Sequence, residues 1–140
     1  MKSKFKIICL INARGGSKSI VNKNIKNLLG APLIAWTIKN AISSKAFTKI
    51  IVNTDSKKIA DIAKKYGAEV PFYRPKKLAT DKSKQVDSII FFVKKLIKLN
   101  EKFDAVAILQ PTFPLRKVTD IQKSINKMVL TNADTVITLT

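Results

Sequence analysis

The amino-acid sequence predicts an α/β fold in which a mostly parallel sheet carries helices on both faces. Short apolar runs rich in β-branched residues alternate with longer amphipathic segments along all 140 residues. This alternation is typical of β–α–β units joined by right-handed crossovers. Glycine, proline or polar clusters follow the apolar runs. Because ligands bind at the carboxyl ends of the strands in such a sheet, we expect these clusters to meet in one crevice.

Five segments are predicted as strands because each is a short apolar run bounded by turn or polar residues. They are residues 5–13, 49–53, 69–73, 105–109 and 135–139. The polar clusters that follow the first four strands are residues 12–24, 53–56, 74–85 and 110–116.

Four helices are predicted between these strands, at residues 32–44, 57–66, 84–99 and 118–130. Pro32 stands in the first turn of the first helix, where proline is favoured. Thr54 to Ser56 supply capping side chains for the second helix, and Gly67 ends it as a C′ glycine. The third helix carries apolar residues at helical spacing. The sequence shows no internal repeat, low-complexity tract or linker.

Composition predicts a packed protein in which residues 1–140 form one domain. Hydrophobic residues make up 46% and charged residues 26%, which excludes a disordered basic tail. A single cysteine, Cys9, and no histidine exclude a disulfide framework and imidazole-based catalysis or zinc binding; Cys9 is predicted to be a small buried residue. The apolar run at residues 7–11 is too short for a signal peptide, so we expect a cytoplasmic protein. The chain ends after a predicted strand without a closing helix, which predicts an incomplete unit.

The formal net charge of +18 suggests nucleic-acid binding, but the type of charge argues against it. Of 27 basic residues only three are arginines: Arg14, Arg74 and Arg116. Proteins that read bases and phosphates favour the planar fork of arginine, whereas paired lysines on predicted helices indicate a solvated face. In a chain this rich in lysine, the three arginines are candidate contacts for an anion.

The cluster directly after the first strand is the most informative one. Gly15 and Gly16 allow a tight turn that brings backbone N–H groups close to an anion. Arg14 and Lys23 add positive charge, and Ser17 adds a hydroxyl. The arrangement suits a triphosphate, although it is neither the Walker pattern nor the dinucleotide glycine fingerprint. The alternative is a Gly-Gly turn with exposed lysines.

Several stretches of the sequence form a distinctive set. They are INARGGSK with KNIK, APLIAWTI, IIVNTDS, IAKKYGAEVPFYRPKKLATD and LQPTFPLR. With these motifs, nearly all of residues 6–120 resembles the N-terminal portion of the acylneuraminate cytidylyltransferases, the CMP-sialic acid synthetases. The resemblance implies a Rossmann-like nucleotidyltransferase fold. It also implies a reaction in which CTP and a sialic-acid-like 2-keto sugar acid give CMP-sugar and pyrophosphate, with Mg²⁺ as cofactor.

The resemblance assigns roles to residues at matching positions. The implied nucleotide-binding residues are Arg14, Gly15, Gly16, Ser17, Lys23, Asn24, Arg74, Ser83 and Gln110. Arg14 and Lys23 would also be the catalytic cations, because phosphoryl chemistry depends mainly on positioning and charge stabilisation. The implied substrate-binding residues are Gln110, Thr112 and Arg116. No residue of this chain is assigned to a metal.

Two residues depart from the family's pattern. Gln85 stands where serine is usual, which leaves a donor and an acceptor but changes the contact. Phe113 stands where serine is common. Because a phenyl ring makes no such hydrogen bond, either the sugar pocket differs or the ring packs inward. A structural role for Arg116 beside the prolines is as plausible as contact with the sugar carboxylate.

Two further residues have structural alternatives. Arg74 is a candidate nucleotide contact, but a surface ion pair with Asp81 or Glu69 would also account for it. Asp55 follows the second predicted strand. We favour a helix N-cap for this carboxylate over an Mg²⁺ ligand.

The resemblance implies that longer relatives carry metal-binding aspartates, a dimerisation arm and part of the sugar pocket beyond the matched part. We therefore expect CTP and a sugar acid as partners, with no nucleic acid or membrane, and a homodimer for a full-length protein. Weak CTP binding and little turnover are expected of this polypeptide alone. Two alternatives stay open: a sibling enzyme for another nonulosonate or for 3-deoxy-octulosonate, and a nonenzymatic basic module that binds nucleotide or nucleic acid.

Overall fold

Strands and helices alternate along the chain in the structure, a computed structural model that describes residues 5–16 and 23–137. In chain order the elements are β1 (Ile7–Asn12), β2 (Asn27–Leu28), β3 (Ala31–Pro32), α1 (Leu33–Ser44), β4 (Lys49–Asn53), α2 (Lys57–Lys65), α3 (Gln85–Lys98), β5 (Ala105–Leu109) and α4 (Val118–Thr131). Short 3₁₀ turns lie at Lys23–Ile25 and Lys76–Leu78. Within these ranges, no helix has the length and apolar character needed to cross a membrane.

Strand β1 is the centre of a parallel sheet with the order β4–β1–β5. Cys9 lies opposite Ile50 of β4 and Ala107 of β5. Since all three strands run in the same direction, their carboxyl ends lie at one edge of the sheet. The polar residues that follow the strands are therefore brought together at that edge.

Side-chain alternation along β1 divides the core into two layers. On one face of the sheet, odd-numbered β1 residues pack against α1 and α2 around Ile38 and Ile59. On the other face, even-numbered β1 residues pack against α3 around Phe92 and Leu96. Burying one such apolar side chain contributes roughly 1.5–3 kcal/mol. The predicted sheet with helices on both faces is confirmed.

Cys9 is fully buried, as its position in the middle of a strand predicts. Burial raises the pKa of its thiol to about 12, and the positive charge of Arg116 opposes this shift. Because the thiolate is the reactive form of cysteine, Cys9 is a packing residue at neutral pH.

The helix predictions are confirmed to within a residue or two at each end. The hydroxyl of Ser56 accepts a hydrogen bond from the backbone N–H of Ile59 at 3.2 Å, so Ser56 caps α2. Gly67, with a φ of 103°, follows the end of the same helix. This left-handed conformation is why glycine is favoured there.

The third predicted strand, at residues 69–73, is wrong. Only Glu69 pairs with the sheet, through a single parallel bridge to Ile51. Pro71 has no backbone N–H with which to extend the pairing. The backbone N–H of Arg74 bonds instead to the segment after β4. The chain therefore leaves the sheet and crosses its carboxyl edge.

The last predicted strand, at residues 135–139, is not seen in residues 135–137, and its final two residues lie outside the described ranges. Asn132 ends α4 in the left-handed conformation, with a φ of 54°. Ile137 is 75% exposed. A strand requires the hydrogen bonds of a neighbour, and the described part of the chain supplies none to these residues.

A short hairpin between β1 and α1 has no counterpart in the sequence predictions. Strand β2 pairs antiparallel with β3 across Leu29 and Gly30, which have φ values of 50° and 91°. Two positive φ angles are typical of a two-residue hairpin turn. The carbonyl of Leu28 accepts a 2.7 Å hydrogen bond from the indole N–H of Trp36, which ties the hairpin to α1.

Candidate functional site

A cleft of about 190 Å³ opens at the carboxyl edge of the sheet. Its lining comes from the segments after β1 and β5, from the segment between α2 and α3 and from the start of α3, and consists of Asn12, Arg14, Gly16, Lys23, Asn24, Arg74, Thr80, Ser83, Gln85, Gln110, Pro111 and Thr112. Three of the four predicted polar clusters therefore meet in one cleft. The fourth, residues 53–56, supplies no lining residue and contacts the loop after β1 through Asp55. The roles of the individual residues in binding stay predictions.

Arg14 is paired with a carboxylate at the mouth of the cleft. Its Nη1 lies 2.6 Å from Oδ1 of Asp81, and the two side chains are 33% and 35% exposed. The carbonyl of Arg14 accepts a 3.1 Å hydrogen bond from Nδ2 of the buried Asn24. Asn24 therefore fixes the backbone after β1, while the guanidinium already holds an anionic group.

Gly15 lies against the segment that follows β4. Its backbone N–H donates a 2.7 Å hydrogen bond to Oδ1 of Asp55. A Cβ at this position would lie 3.0 Å from the Cβ of Ser56, so the close approach favours glycine. The amide that the sequence offers to a phosphate thus binds a carboxylate of the same chain in this structure. A Cβ on Gly16 would meet nothing within 4 Å.

Asp55 is not the helix cap that the sequence favours. Ser56 caps α2, and the Asp55 carboxylate binds the Gly15 N–H instead. The cap moves by one residue because Ser56 has the extended backbone of an N-cap, with φ −101° and ψ 123°. Asp55 therefore links the loop after β1 to the end of β4.

Arg74 is buried rather than paired on the surface. Its backbone N–H donates to the carbonyl of Thr54 at 2.8 Å, and Nε is buried without a hydrogen-bond partner. Burial lowers the pKa of Arg74, while the Asp55 charge raises it and the Arg14 charge lowers it. The predicted alternative, an ion pair with Asp81 or Glu69, is wrong, because Asp81 pairs with Arg14 and the described residues place no acid in ion-pair contact with Arg74.

Two arginines therefore face one cleft, where the Arg14 charge repels the charge on Arg74, although the stronger effect of the Asp55 charge favours it. A bound anion removes this repulsion and gains charge-assisted hydrogen bonds. Lys23 lines the same cleft and adds a third cation. The arrangement favours a ligand with several negative charges.

Ser83 lines the cleft, but its hydroxyl also holds the loop before α3. Its Oγ donates to the carbonyl of Lys77 at 3.0 Å and accepts the backbone N–H of Thr80 at 3.1 Å. These bonds close the loop that carries Thr80 into the cleft.

Gln110 and Gln85 contact each other across the cleft. Nε2 of Gln110 lies 3.4 Å from Oε1 of Gln85. The backbone carbonyl of Gln110 accepts a 3.0 Å hydrogen bond from Nη2 of Arg116 and a 3.5 Å bond from the hydroxyl of Thr37. Gln85, which stands where serine is usual in the family's pattern, thus contacts the Gln110 amide.

Arg116 lies behind the segment after β5 and is not among the residues lining the cleft. Its Nη2 donates a hydrogen bond to the carbonyl of Gln110. Its Nη1 is buried and has no hydrogen-bond partner among the described residues. Burial lowers the pKa of Arg116. Phe113 is 51% exposed, and its ring centroid lies 6.0 Å from Cζ of Arg116. The ring therefore does not pack inward. The structural alternative for Arg116 has direct contacts, and its predicted contact with a sugar acid stays a prediction.

Asn12 is a cleft residue that the sequence predictions did not include among the site residues. Its position at the end of β1, two residues before Arg14, is the signal that points to it. Ser17, another predicted phosphate contact, lies outside the described residues.

Known proteins are similar to this chain both in amino-acid sequence and in fold. The sequence profile described as "Cytidylyltransferase" matches residues 8–139. A CMP-N,N′-diacetyllegionaminic acid synthase of Legionella pneumophila is 44% identical over 120 residues, which are 86% of this chain and 52% of that protein. An N-acylneuraminate cytidylyltransferase of Escherichia coli is 42% identical over 120 residues, which are 86% of this chain and 27% of that protein. The chain thus spans about half the length, or less, of these relatives.

A solved structure of CMP:2-keto-3-deoxy-manno-octonic acid synthetase complexed with CTP has the same fold. It matches with a TM-score of 0.77 and 20% sequence identity, over 91% of this chain and 49% of the other. The profile match extends from the second residue of β1 past the end of α4 and so includes every segment that lines the cleft. The chain belongs to the cytidylyltransferase family.

Proposed function

We propose that this chain binds CTP in the cleft and serves a cytidylyltransferase that activates a sialic-acid-like nonulosonic acid. In the proposed reaction, the anomeric hydroxyl of the sugar attacks the α-phosphorus of CTP. A new oxygen–phosphorus bond forms, the bond between the α-phosphorus and its bridging oxygen to the β-phosphate breaks, and the hydroxyl proton is released. The products are CMP-sugar and pyrophosphate.

The observation that carries this proposal is the position of the arginines. The chain has only three, and two of them, Arg14 and Arg74, line one cleft together with Lys23. A chain whose basic residues served only as a solvated coat would have no reason to bury Arg74. A polyanion in the cleft explains that burial, because it would neutralise the clustered cations.

The lining suggests which part of a nucleotide lies where. Arg14 and Lys23 are the proposed catalytic cations, since they would stabilise negative charge on the phosphates as pyrophosphate leaves. The other residues of the proposed nucleotide site are Asn24, Arg74, Ser83, Gly15, Gly16, Ser17 and Gln110. Gln110 and Thr112, at the end of β5, are the proposed contacts to the sugar acid, with Arg116 behind them.

Mg²⁺ is proposed as a cofactor that arrives with the triphosphate. Magnesium usually binds substrate phosphates and one or two carboxylates. The acids at the cleft are already engaged: Asp55 binds the Gly15 N–H and Asp81 binds Arg14. Across the described ranges, no three acidic, cysteine or histidine side chains converge on a common point. These residues therefore do not form an ion site on their own.

The sugar class is proposed from the relatives. Proteins 36–44% identical to this chain are described as acting on legionaminic, pseudaminic or acylneuraminic acid, all of which are nonulosonic acids. The octulosonate synthetase is similar at 20% identity and supports the fold alone. We therefore favour a nonulosonate over 3-deoxy-octulosonate.

Isothermal titration with CTP, UTP, ATP and GTP in the presence of Mg²⁺ tests the proposal. We expect CTP to bind more tightly than the other three nucleotides, with an affinity that changes little between low and moderate salt. A basic module that binds polyanions through its lysines would show no base preference. Its affinity would also fall steeply with salt, because many phosphate contacts would release counterions.

Two further properties belong to the same proposal. We propose a cytoplasmic protein, since its substrate CTP is made and used inside the cell, and a homodimer for the full-length enzyme. We propose no nucleic-acid or membrane partner. Cell fractionation and light scattering of a full-length relative test the first two, and the salt series above tests the nucleic-acid partner.

A further inference from the structure

The end of β1 carries a hydrogen-bonding group that has no partner among residues 5–16 and 23–137. Asn12 lines the cleft, and its Nδ2 is buried without an acceptor. An unpaired buried donor is unfavourable, and in most proteins such groups are satisfied by protein, water or ligand. Because Asn12 lines the cleft, a ligand bound there could accept a hydrogen bond from this donor.

Two buried neighbours hold the Asn12 side chain in place. Its Oδ1 accepts a 2.8 Å hydrogen bond from Nδ2 of Asn53, and the same Nδ2 donates to Oγ of Ser88 at 2.7 Å. Asn53 and Ser88 are fully buried at the end of β4 and in α3. The amide of Asn12 is therefore fixed before any ligand arrives, which reduces the entropy lost on binding.

The network leaves unpaired groups whichever way its amides are oriented. Exchanging the oxygen and nitrogen of both Asn12 and Asn53 keeps the bond between them and again leaves one donor and one acceptor unpaired, with the Asn12 oxygen then in the place of its N–H group. Exchanging only one of the two places like atoms against each other. Asn53 has no exposed surface, so a ligand in the cleft reaches Asn12 first.

The position of Asn12 identifies the part of the nucleotide that it faces. Arg14, the proposed phosphate contact, is two residues further along the chain, just beyond the end of β1. Two residues span at most about 7 Å, so Asn12 lies close to the proposed phosphate site but separate from it. A neutral amide adds little beside two arginines for binding phosphate, whereas it matches the neutral oxygen and nitrogen acceptors of a base or ribose.

We infer that Asn12 is a nucleoside-recognition residue of the cleft, whose fixed side-chain amide forms a hydrogen bond with a neutral group on the base or ribose of the bound nucleotide. This inference rests on the proposed function. It adds a residue that distinguishes the nucleoside from the phosphates. Replacing Asn12 should therefore change nucleoside binding and leave polyphosphate binding as it is.

The test is isothermal titration of wild type and Asn12→Leu with CMP, CTP and inorganic tripolyphosphate. Leucine has the same number of side-chain heavy atoms as asparagine, branched at the same carbon, and no hydrogen-bonding group. We expect Asn12→Leu to bind CMP and CTP about 3- to 10-fold more weakly, the effect of one neutral hydrogen bond, and tripolyphosphate within twofold of wild type. Thermal unfolding confirms that the variant is folded.

Two further arms sharpen the result. Ser88→Ala removes one of the two bonds that hold Asn53, and we expect a smaller loss of CMP affinity, again without loss of tripolyphosphate affinity. Titration with 2′,3′-dideoxy-CMP separates the possible partners of Asn12. If the Asn12→Leu effect disappears with this ligand, the group that Asn12 contacts is a ribose hydroxyl; if it persists, that group is on the base or is the ring oxygen of the sugar.

Two results would overturn the inference while the proposed function stands. In one, Asn12→Leu binds CMP as tightly as wild type does, so that water alone satisfies the amide. In the other, CMP and tripolyphosphate affinities fall by the same factor, which is the behaviour of a structural residue. If wild type itself shows no preference for CTP over tripolyphosphate, the proposed function fails and the inference fails with it.

Discussion

The two sides of the cleft are built in different ways. One side, called the β1 side, consists of Arg14, Gly15 and Arg74. Its geometry is set by backbone and buried groups: the Gly15 N–H donates a 2.7 Å hydrogen bond to the Asp55 carboxylate, and Arg74 is buried. On the β5 side, defined as Gln110 and Thr112, both residues are exposed, and the amide of Gln110 is held only by a 3.4 Å contact with another side chain.

This difference separates a fixed charged site from an adjustable neutral one. Cations that are held in place before binding lose little entropy when a polyanion arrives. Exposed glutamine side chains keep several rotamers and can satisfy different hydroxyl patterns. We therefore expect changes on the β1 side to have large effects on nucleotide binding and changes on the β5 side to have small ones.

The largest effect is expected from Arg14→Ala. This change should weaken CTP binding by about 10- to 100-fold, because hydrogen bonds to charged groups contribute roughly 1.5–3 kcal/mol. Titration calorimetry with CTP and tripolyphosphate measures it. Lys58→Ala, at an exposed position on α2, removes the same charge and should leave both affinities nearly unchanged. Equal losses in the two variants would show that net charge, rather than the cleft, binds the nucleotide.

The two loop glycines form a matched pair for the second test. Gly15→Ala places a Cβ 3.0 Å from that of Ser56, whereas Gly16→Ala places one in open space. Forcing extra atoms into a packed position typically costs about 1–3 kcal/mol, so Gly15→Ala should lower the urea midpoint of unfolding and weaken CTP binding. Gly16→Ala should do neither. Indistinguishable variants would mean that the loop after β1 is not fixed against the end of β4.

Asp81→Asn tests whether a carboxylate of the chain competes with the ligand for Arg14. The pair is partly exposed, and pairs of this kind contribute up to about 1 kcal/mol. Removing the charge should therefore tighten CTP binding by about two- to fivefold. Asp61→Asn, which removes an exposed carboxylate that contacts Lys57 on α2, is the control for net charge. Weaker CTP binding by Asp81→Asn would show that this carboxylate supports the site.

Much of the fold could be predicted because local signals and tertiary packing agree. β4 and β5 coincide with their predicted apolar runs, and Gly67 ends α2 as expected. The strand predicted at residues 69–73 failed because apolar character does not reveal hydrogen bonding, and Pro71 cannot extend a ladder. The hairpin at Leu29 and Gly30 was missed because two-residue strands have no periodicity to detect.

Most of the residues that line the cleft could be predicted from the sequence, but the contacts between them could not. The rule that ligands bind at the carboxyl ends of parallel strands was enough to bring Arg14 and Gln110 together. Arg74 reaches the same cleft although the strand predicted before it is wrong. Sequence spacing could not show that Arg74 is buried or that Asp55 binds the Gly15 N–H, because both depend on contacts between distant segments. Asn12 was missed for the same reason, since its unpaired amide exists only once Asn53 and Ser88 have packed beneath it.

The smallest effect is expected from Gln85→Ser, which places the family's usual residue opposite Gln110. The contact that is lost is 3.4 Å long and joins two exposed side chains, so CTP affinity should change by less than about twofold. The side-chain amide signals of Gln110 in a nitrogen–proton correlation spectrum should nevertheless move, because that amide loses its partner. Gln122→Ser, on α4 against the carbonyl of Ser44, should leave those signals in place. A tenfold loss of CTP affinity in Gln85→Ser would contradict the comparison, because the β5 side would then be as fixed a part of the nucleotide site as Arg14.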